Sequence, residues 1–255
     1  MIASSSILPS DFARAAPGIA VRNARLVYEG APLFDGLDFV LEAGRCTCLL
    51  GPSGIGKSSL LRLIAGLAEG ATGAVEASDH RPLNDRVALM AQQDLLLPWL
   101  TAFENTLLGF RLREQTPPRE TAIELLKHLG LIHAMHLRPA ALSGGMRQRV
   151  ALARTLMEDR PVVLMDEPFS GLDAITRLRL QTLAANELRG RTVLLVTHDP
   201  LEALRLGHRI VVMTGRPARL SDPLELASPT PRDPTDPDLL RRQAELLDRL
   251  AAEPA

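Results

Sequence analysis

The sequence predicts an α/β fold built on a mainly parallel sheet, with an antiparallel β subdomain near its start and a helical subdomain inserted into it. Three observations carry that reading. Arg45–Leu50, Pro161–Met165 and Thr192–Val196 are short, nearly unbroken apolar runs, the pattern of central strands covered on both faces. A helix-like segment, about Ala174 to Leu188, joins the second run to the third as a crossover. Between about residues 93 and 159 the apolar residues recur at helical spacing.

In order, residues 1–17 are small and Ser/Ala-rich and end in Ala16-Pro17-Gly18, which reads as a flexible leader. Ile19 to Leu41 reads as short strands broken by turns at Glu29-Gly30 and Asp35-Gly36. Beyond Lys57, Leu60, Ile64 and Leu67 fall at helical spacing. Within the helical block, Ala102–Leu112 and Arg119–Leu129 are amphipathic, and a third helix starts near Gly144 and carries Val150, Ala153 and Met157 inward. The main domain is expected over 18–225. Residues 226–255 form a Pro/Asp-rich linker and a last helix, begun by Asp236 and Pro237, whose Leu240, Ala244, Leu247 and Ala251 are expected to pack on the body.

Bulk properties narrow the function. In 255 residues, 46% are apolar and 23% charged, and the net charge is -1, which argues against a nucleic-acid surface. No apolar run reaches the ~18–20 residues that span a bilayer. Met1–Ala16 lacks the basic start and apolar centre of a secretory signal, so a cytoplasmic protein is expected. Cys46 and Cys48 alternate onto one strand face and read as buried thiols, since no further cysteine completes a metal set.

The chemistry begins at Gly51-Pro52-Ser53-Gly54-Ile55-Gly56-Lys57-Ser58, a match to G-x-x-x-x-G-K-[ST] with a strand before it and a helix after. Its glycines let backbone N–H groups turn toward phosphate oxygens, and the helix adds its positive end. Lys57 supplies a mobile charge for the β- and γ-phosphates, and the Ser58 hydroxyl is a hard ligand for Mg²⁺. Asp166 closes a strand, where its carboxylate is placed for the Mg²⁺ shell. Glu167 follows, placed to polarise a water aimed at the γ-phosphate. A phosphate loop alone leaves kinases, GTPases and other ATPases open.

Leu142-Ser143-Gly144-Gly145, followed by Met146-Arg147-Gln148-Arg149, resembles the signature of ABC transporter ATPases, a P-loop NTPase family. The resemblance runs from about Ile19 to Leu220. It implies that Tyr28 stacks on adenine and that Ser59 joins the phosphate loop in holding ATP. Gln92, in preference to Gln93, looks like the glutamine that senses Mg²⁺ and the attacking water. Asp173 in Ser170-Gly171-Leu172-Asp173 is similar to the D-loop aspartate, and His198 to the switch histidine. Ser143, Gly144 and Gly145 form a second anion site, which by resemblance serves the ATP of a second ATPase subunit paired head to tail as a homodimer. Two positions depart from the common pattern: Met146 replaces a glutamine, and Gly171 an alanine, which is expected to loosen the D-loop.

By resemblance, such a subunit sits peripherally on the cytoplasmic face of the inner membrane. It drives transmembrane permease subunits, with an extracytoplasmic solute-binding protein acting indirectly. Leu96–Thr101, the form of the signature and the tail resemble a bacterial importer branch for nitrate, sulfonates, taurine and thiamine pyrimidine precursors. The run Met90–Trp99 leans toward the hydroxymethylpyrimidine members. Leu95–Trp99 is expected either to rim a groove for the permease or to pack the helical block. The rival reading is a soluble ABC ATPase of DNA repair or translation, but no coiled coil, zinc module or second ATPase half is visible in the chain.

Overall fold

The computed structural model describes residue 7 and residues 16–252. The leader expected over residues 1–17 therefore lies almost wholly outside the described residues. Strands β1 (Ile19–Tyr28), β2 (Ala31–Leu41) and β4 (Thr72–Ala77) form an antiparallel sheet in the order β2-β1-β4. Glu29-Gly30 is the hairpin turn between β1 and β2, as the sequence predicts. Asp35-Gly36 is not a turn. The pairing steps from Ala24↔Leu37 to Arg25↔Asp35, so Gly36, at φ 77°, is the extra residue of a bulge inside β2. The same dipeptide that ends a strand elsewhere only kinks this one, because β1 goes on pairing past it.

The central sheet runs β10-β8-β3-β7-β6-β5, with β9 paired to β8. Its parallel centre is β3 (Cys46–Leu50), β5 (Val87–Met90), β6 (Val162–Asp166), β7 (Thr192–Val196) and β8 (Arg209–Thr214). Short β9 (Arg219–Leu220) and β10 (Leu224–Glu225) are antiparallel to β8. All five residues of β6 and of β7 are buried, which explains their unalternating apolar sequence. One face packs with α1 (Lys57–Ile64) and the antiparallel sheet, where Phe34, Leu60 and Ile64 join Leu164 and Val196. The other face packs with α6 (Ala174–Glu187), α7 (Pro200–Leu206) and the helical block. Leu67 lies past the end of α1 and is 60% exposed, so the helical pattern read through it stops one turn early.

The helical block differs in one detail. The expected single helix over Ala102–Leu112 is two short ones, α2 (Ala102–Thr106) and α3 (Leu108–Leu112), meeting at Leu107. α4 (Arg119–His128) and α5 (Gly144–Met157) follow, and α5 buries Val150, Ala153 and Met157. The last helix, α8 (Pro237–Ala252), begins at the expected place but presents a different stripe. Leu239 and Leu246 are buried, whereas Leu240 and Leu247 are 47% and 49% exposed. The helix is turned by about one position from the expected face; both stripes are apolar, and the pattern alone does not choose between them.

The linker before α8 is pinned by Arg232, 8% exposed. Its guanidinium donates to the carbonyls of Leu204, Gly207, Leu226 and Ser228 and to the Ser228 hydroxyl. Among the described residues no helix is long and apolar enough to cross a membrane.

Candidate functional site

The parallel registers place Leu49, Val196 and Asp166 side by side at one edge of the central sheet. The segments leaving β3, β6 and β7 therefore emerge together, the place where open parallel sheets bind ligands. β3 turns out of the sheet at Gly51, whose φ is 153° and where a β-carbon would lie 2.4 Å from the Met213 carbonyl oxygen. Only glycine passes there. Pro52, Ser53 and Gly54 are exposed, while the Ile55 side chain enters the core, leaving only its backbone for a ligand. Gly56 leads into α1, which has no side-chain cap and no acid in its first turn, so its first N–H groups stay open to an anion.

Lys57 is 6% exposed and donates from Nζ to the carbonyls of Gly51 and Pro52 at 2.8 and 2.9 Å. Burial lowers its pKa, against the pull of Glu167 and Asp166. Ser58 hydrogen-bonds Asp166, whose pKa is raised by burial and further by the Glu167 charge. Two hard oxygens thus meet directly behind the loop. Ser59 is half-buried one position on.

Glu167 stands one residue beyond β6 with φ 49°, a left-handed backbone unusual for a residue with a β-carbon. One carboxylate oxygen lies 3.1 Å from His198 Nδ1 and the other 3.5 Å from Gln92 Nε2. Three residues from three loops thus meet at one carboxylate. Gln93 is also exposed, but Gln92 is the one brought to Glu167. His208 is half-buried and accepts from the Cys46 N–H, as expected of a packing residue.

The other candidates stand elsewhere. Tyr28 ends β1 and is 65% exposed. Ser143 caps α5 by accepting from the Met146 N–H at 3.2 Å, with Gly144 and Gly145 in the first turn. Among the described residues no hydrogen bond or ion pair joins this turn to the phosphate loop. Asp173 caps α6, accepting from the Thr176 N–H, which holds its pKa down. Gly171 has φ 70°, so glycine there serves a left-handed turn and is not simply a looser alanine.

Several residues outside the predicted site hold these loops. Gln148 donates to the carbonyls of Glu167 and Pro168. Arg147 pairs with Asp94 at 2.9 Å, and Arg154 donates to the carbonyls of Asp94 and Leu95. Asn105, fully buried, bonds both the N–H and the C=O of Leu97. So anchored, the segment divides: Leu96 and Leu100 are buried, while Leu95 and Trp99 are 58% and 64% exposed. Glu202, buried behind His198, accepts from Gln181 Nε2 at 3.1 Å. Arg147 and Gln148 lie in the signature run and Asp94 and Leu95 in the run Met90–Trp99, but nothing in those runs tells which backbone groups their side chains meet.

The chain is similar to known proteins along most of its length. The ABC transporter family model matches residues 34–170, more than half of the chain. The aliphatic sulfonates import ATP-binding protein SsuB of Pseudomonas syringae pv. tomato is 41% identical over 232 residues, 90% of this chain and 97% of that protein. Its counterpart in Rhodococcus jostii is 42% identical over 225 residues, 88% of this chain and 89% of that protein. Among solved structures, a dimeric post-hydrolysis state of an ATP-binding cassette bound to ADP and Pi matches with a TM-score of 0.72 and 29% identity, over 82% of this chain and 99% of that one. A bacterial Atm1-family ABC exporter with ATP bound matches at 0.74 and 25%, over 93% of this chain and 42% of that one. A family model over more than half of its length and a relative 41% identical over 90% of it show that this chain belongs to the ABC transporter family and is one of its ATP-hydrolysing domains.

Proposed function

We propose that the chain is the ATPase subunit of a bacterial importer, and that it hydrolyses ATP at a site completed by a second copy. The observation that carries the reading is the meeting of His198 and Gln92 at the Glu167 carboxylate, beside the Ser58–Asp166 pair. Lys57 and the backbone of Gly51–Ser59 bind the phosphates, and Tyr28 offers its exposed ring to adenine. Ser58, Asp166 and Gln92 would hold Mg²⁺. Two or three protein oxygens suit an ion that keeps several waters and takes the rest of its shell from phosphates. Mg²⁺ would supply neutralisation of charge on the phosphate oxygens.

Glu167 takes a proton from the attacking water while His198 orients that water and the γ-phosphate. The water oxygen bonds to the γ-phosphorus as the bond to the β-phosphate bridging oxygen breaks. The electron pair leaves on ADP. Ser143, Gly144, Gly145 and Asp173 serve the nucleotide of the second copy, an arrangement supported by the dimeric state of the similar cassettes. ATP between two copies then acts as a removable clamp, and its hydrolysis reopens the pair.

Leu95 and Trp99 give the permease an apolar contact, and the subunit works at the cytoplasmic face of the membrane with a solute-binding protein outside. The relatives' names favour the sulfonate side of the importer branch over the thiamine-precursor members. Deleting the gene tests the cargo. Loss of growth on an alkanesulfonate as sole sulfur source, with growth on sulfate intact, supports the sulfonate reading; unimpaired growth on both contradicts it.

A further inference from the structure

Gln148 sits on α5 five positions beyond the capping Ser143, with only 8% of its surface exposed. Its Nε2 donates to the carbonyl oxygens of Glu167 and Pro168, each at 3.2 Å. Both partners can only accept, so the amide nitrogen must face them. The residue it holds is the one with left-handed backbone, Glu167 at φ 49°, a conformation that persists only where surroundings over-determine it. The remaining restraints come from elsewhere. The Glu167 N–H donates to Val196 on the sheet at 2.9 Å, and Ser170 donates from N and Oγ to the Glu167 carbonyl within the same loop. Among the described residues, Gln148 makes the hydrogen bonds that reach this turn from the helical block.

We infer that Gln148 is a positioning residue for Glu167, tying the aim of its carboxylate to the helix whose first turn carries Ser143, Gly144 and Gly145. The inference rests on the reading of Glu167 as the group that activates water. α5 is one continuous helix from that turn through Gln148. A nucleotide of the second copy that docks on Ser143–Gly145 therefore acts on Glu167 of this copy through one side chain. Each site then reads the occupancy of the other, and hydrolysis awaits closure of both.

The test is a double-mutant cycle in the full chain, read by steady-state ATPase, ATP affinity and the thermal midpoint. Gln148→Met keeps the side chain's length and removes the donor. It is expected to lower kcat on the order of 10- to 100-fold, the scale of a small misplacement of a reacting group. ATP affinity should stay within about twofold, and in a Glu167→Gln background the same change should leave the residual rate unaltered, because residues acting as a unit are not additive. Should Gln148→Met fail to fold, Gln148→Asn, which keeps the amide but falls short of both carbonyls, is read in the same way. Wild-type kcat, a parallel loss of ATP affinity, or the full multiplicative loss in the Glu167→Gln background overturns the inference. Full turnover in Glu167→Gln alone overturns instead the reading on which it rests.

Discussion

The Nδ1 of His198 lies 3.1 Å from a carboxylate oxygen of Glu167, although the two residues leave different strands and are 63% and 16% exposed in their side chains. Under the proposed function this pair faces the attacking water. His198→Ala is expected to slow ATP turnover by about 10²-fold, the scale of one lost polar group at a reaction centre, while ATP affinity changes little. A parallel fall in affinity and rate, measured by equilibrium binding and steady-state hydrolysis, would place His198 in binding instead.

Gly51 supports a prediction from geometry alone. Gly51→Ala puts a β-carbon 2.4 Å from the Met213 carbonyl at a φ of 153°, a strain costing on the order of 1–3 kcal/mol. The phosphate loop must shift to relieve it. Loss of ATP binding, with a lowered thermal midpoint, is the expected outcome; unchanged affinity contradicts the placement of the loop against β8.

Glu202 predicts a pH dependence of stability. Burial pushes its pKa up to about 7, against hydrogen bonds from Thr197 and Gln181 that pull it down and the Asp199 charge that adds to the rise. It lines a cavity of about 90 Å³ with Glu167, Thr197 and His198. Because the folded pKa lies above the unfolded one, the folded state holds the extra proton between them. The contribution to stability is therefore present below pH ~4.5, falls as the pH rises to about 7 and is flat above. A shift of this size corresponds to about 3 kcal/mol. Glu202→Gln should be more stable than the wild type at pH 8 and equal to it near pH 4.5, as read by urea midpoints. Equal pH slopes for the two proteins would contradict the buried-acid account.

Arg232 turns a linker into structure. Arg232→Met leaves the buried carbonyls of Leu204, Gly207 and Leu226 and the part-buried carbonyl of Ser228 without this donor, at an expected cost of about 3 kcal/mol. The C-terminal segment should also become protease-sensitive, cleaved before the core unfolds. A midpoint within a degree of the wild type contradicts this anchoring.

Much of this was legible in the residues. The buried strands β6 and β7 carry unbroken apolar runs, and the turn from β3 into α1 follows from the glycine-rich run Gly51–Ser58. His198 and Glu167 were legible as strand-end residues. What was hidden had two physical sources. Backbone context decides Asp35-Gly36, where a continuing partner strand converts an apparent turn into a bulge. Long-range side-chain to backbone bonds decide the rest: Gln148 meets Glu167 across 19 positions and Arg232 meets Leu204 across 28. Gln148 lies in the signature run, yet neither that run nor any periodicity tells which distant carbonyl either side chain meets. For α8, Leu239 and Leu240 are equally apolar neighbours, and only the packed body selects the first.

In the proposed function Glu167 activates the attacking water at a site shared by two copies. Size-exclusion chromatography of Glu167→Gln with and without ATP, beside its steady-state ATPase rate, examines both parts at once. The predicted result is a dimer that forms only with ATP and a turnover reduced by about 10²-fold or more. A monomer in ATP together with wild-type turnover would contradict it.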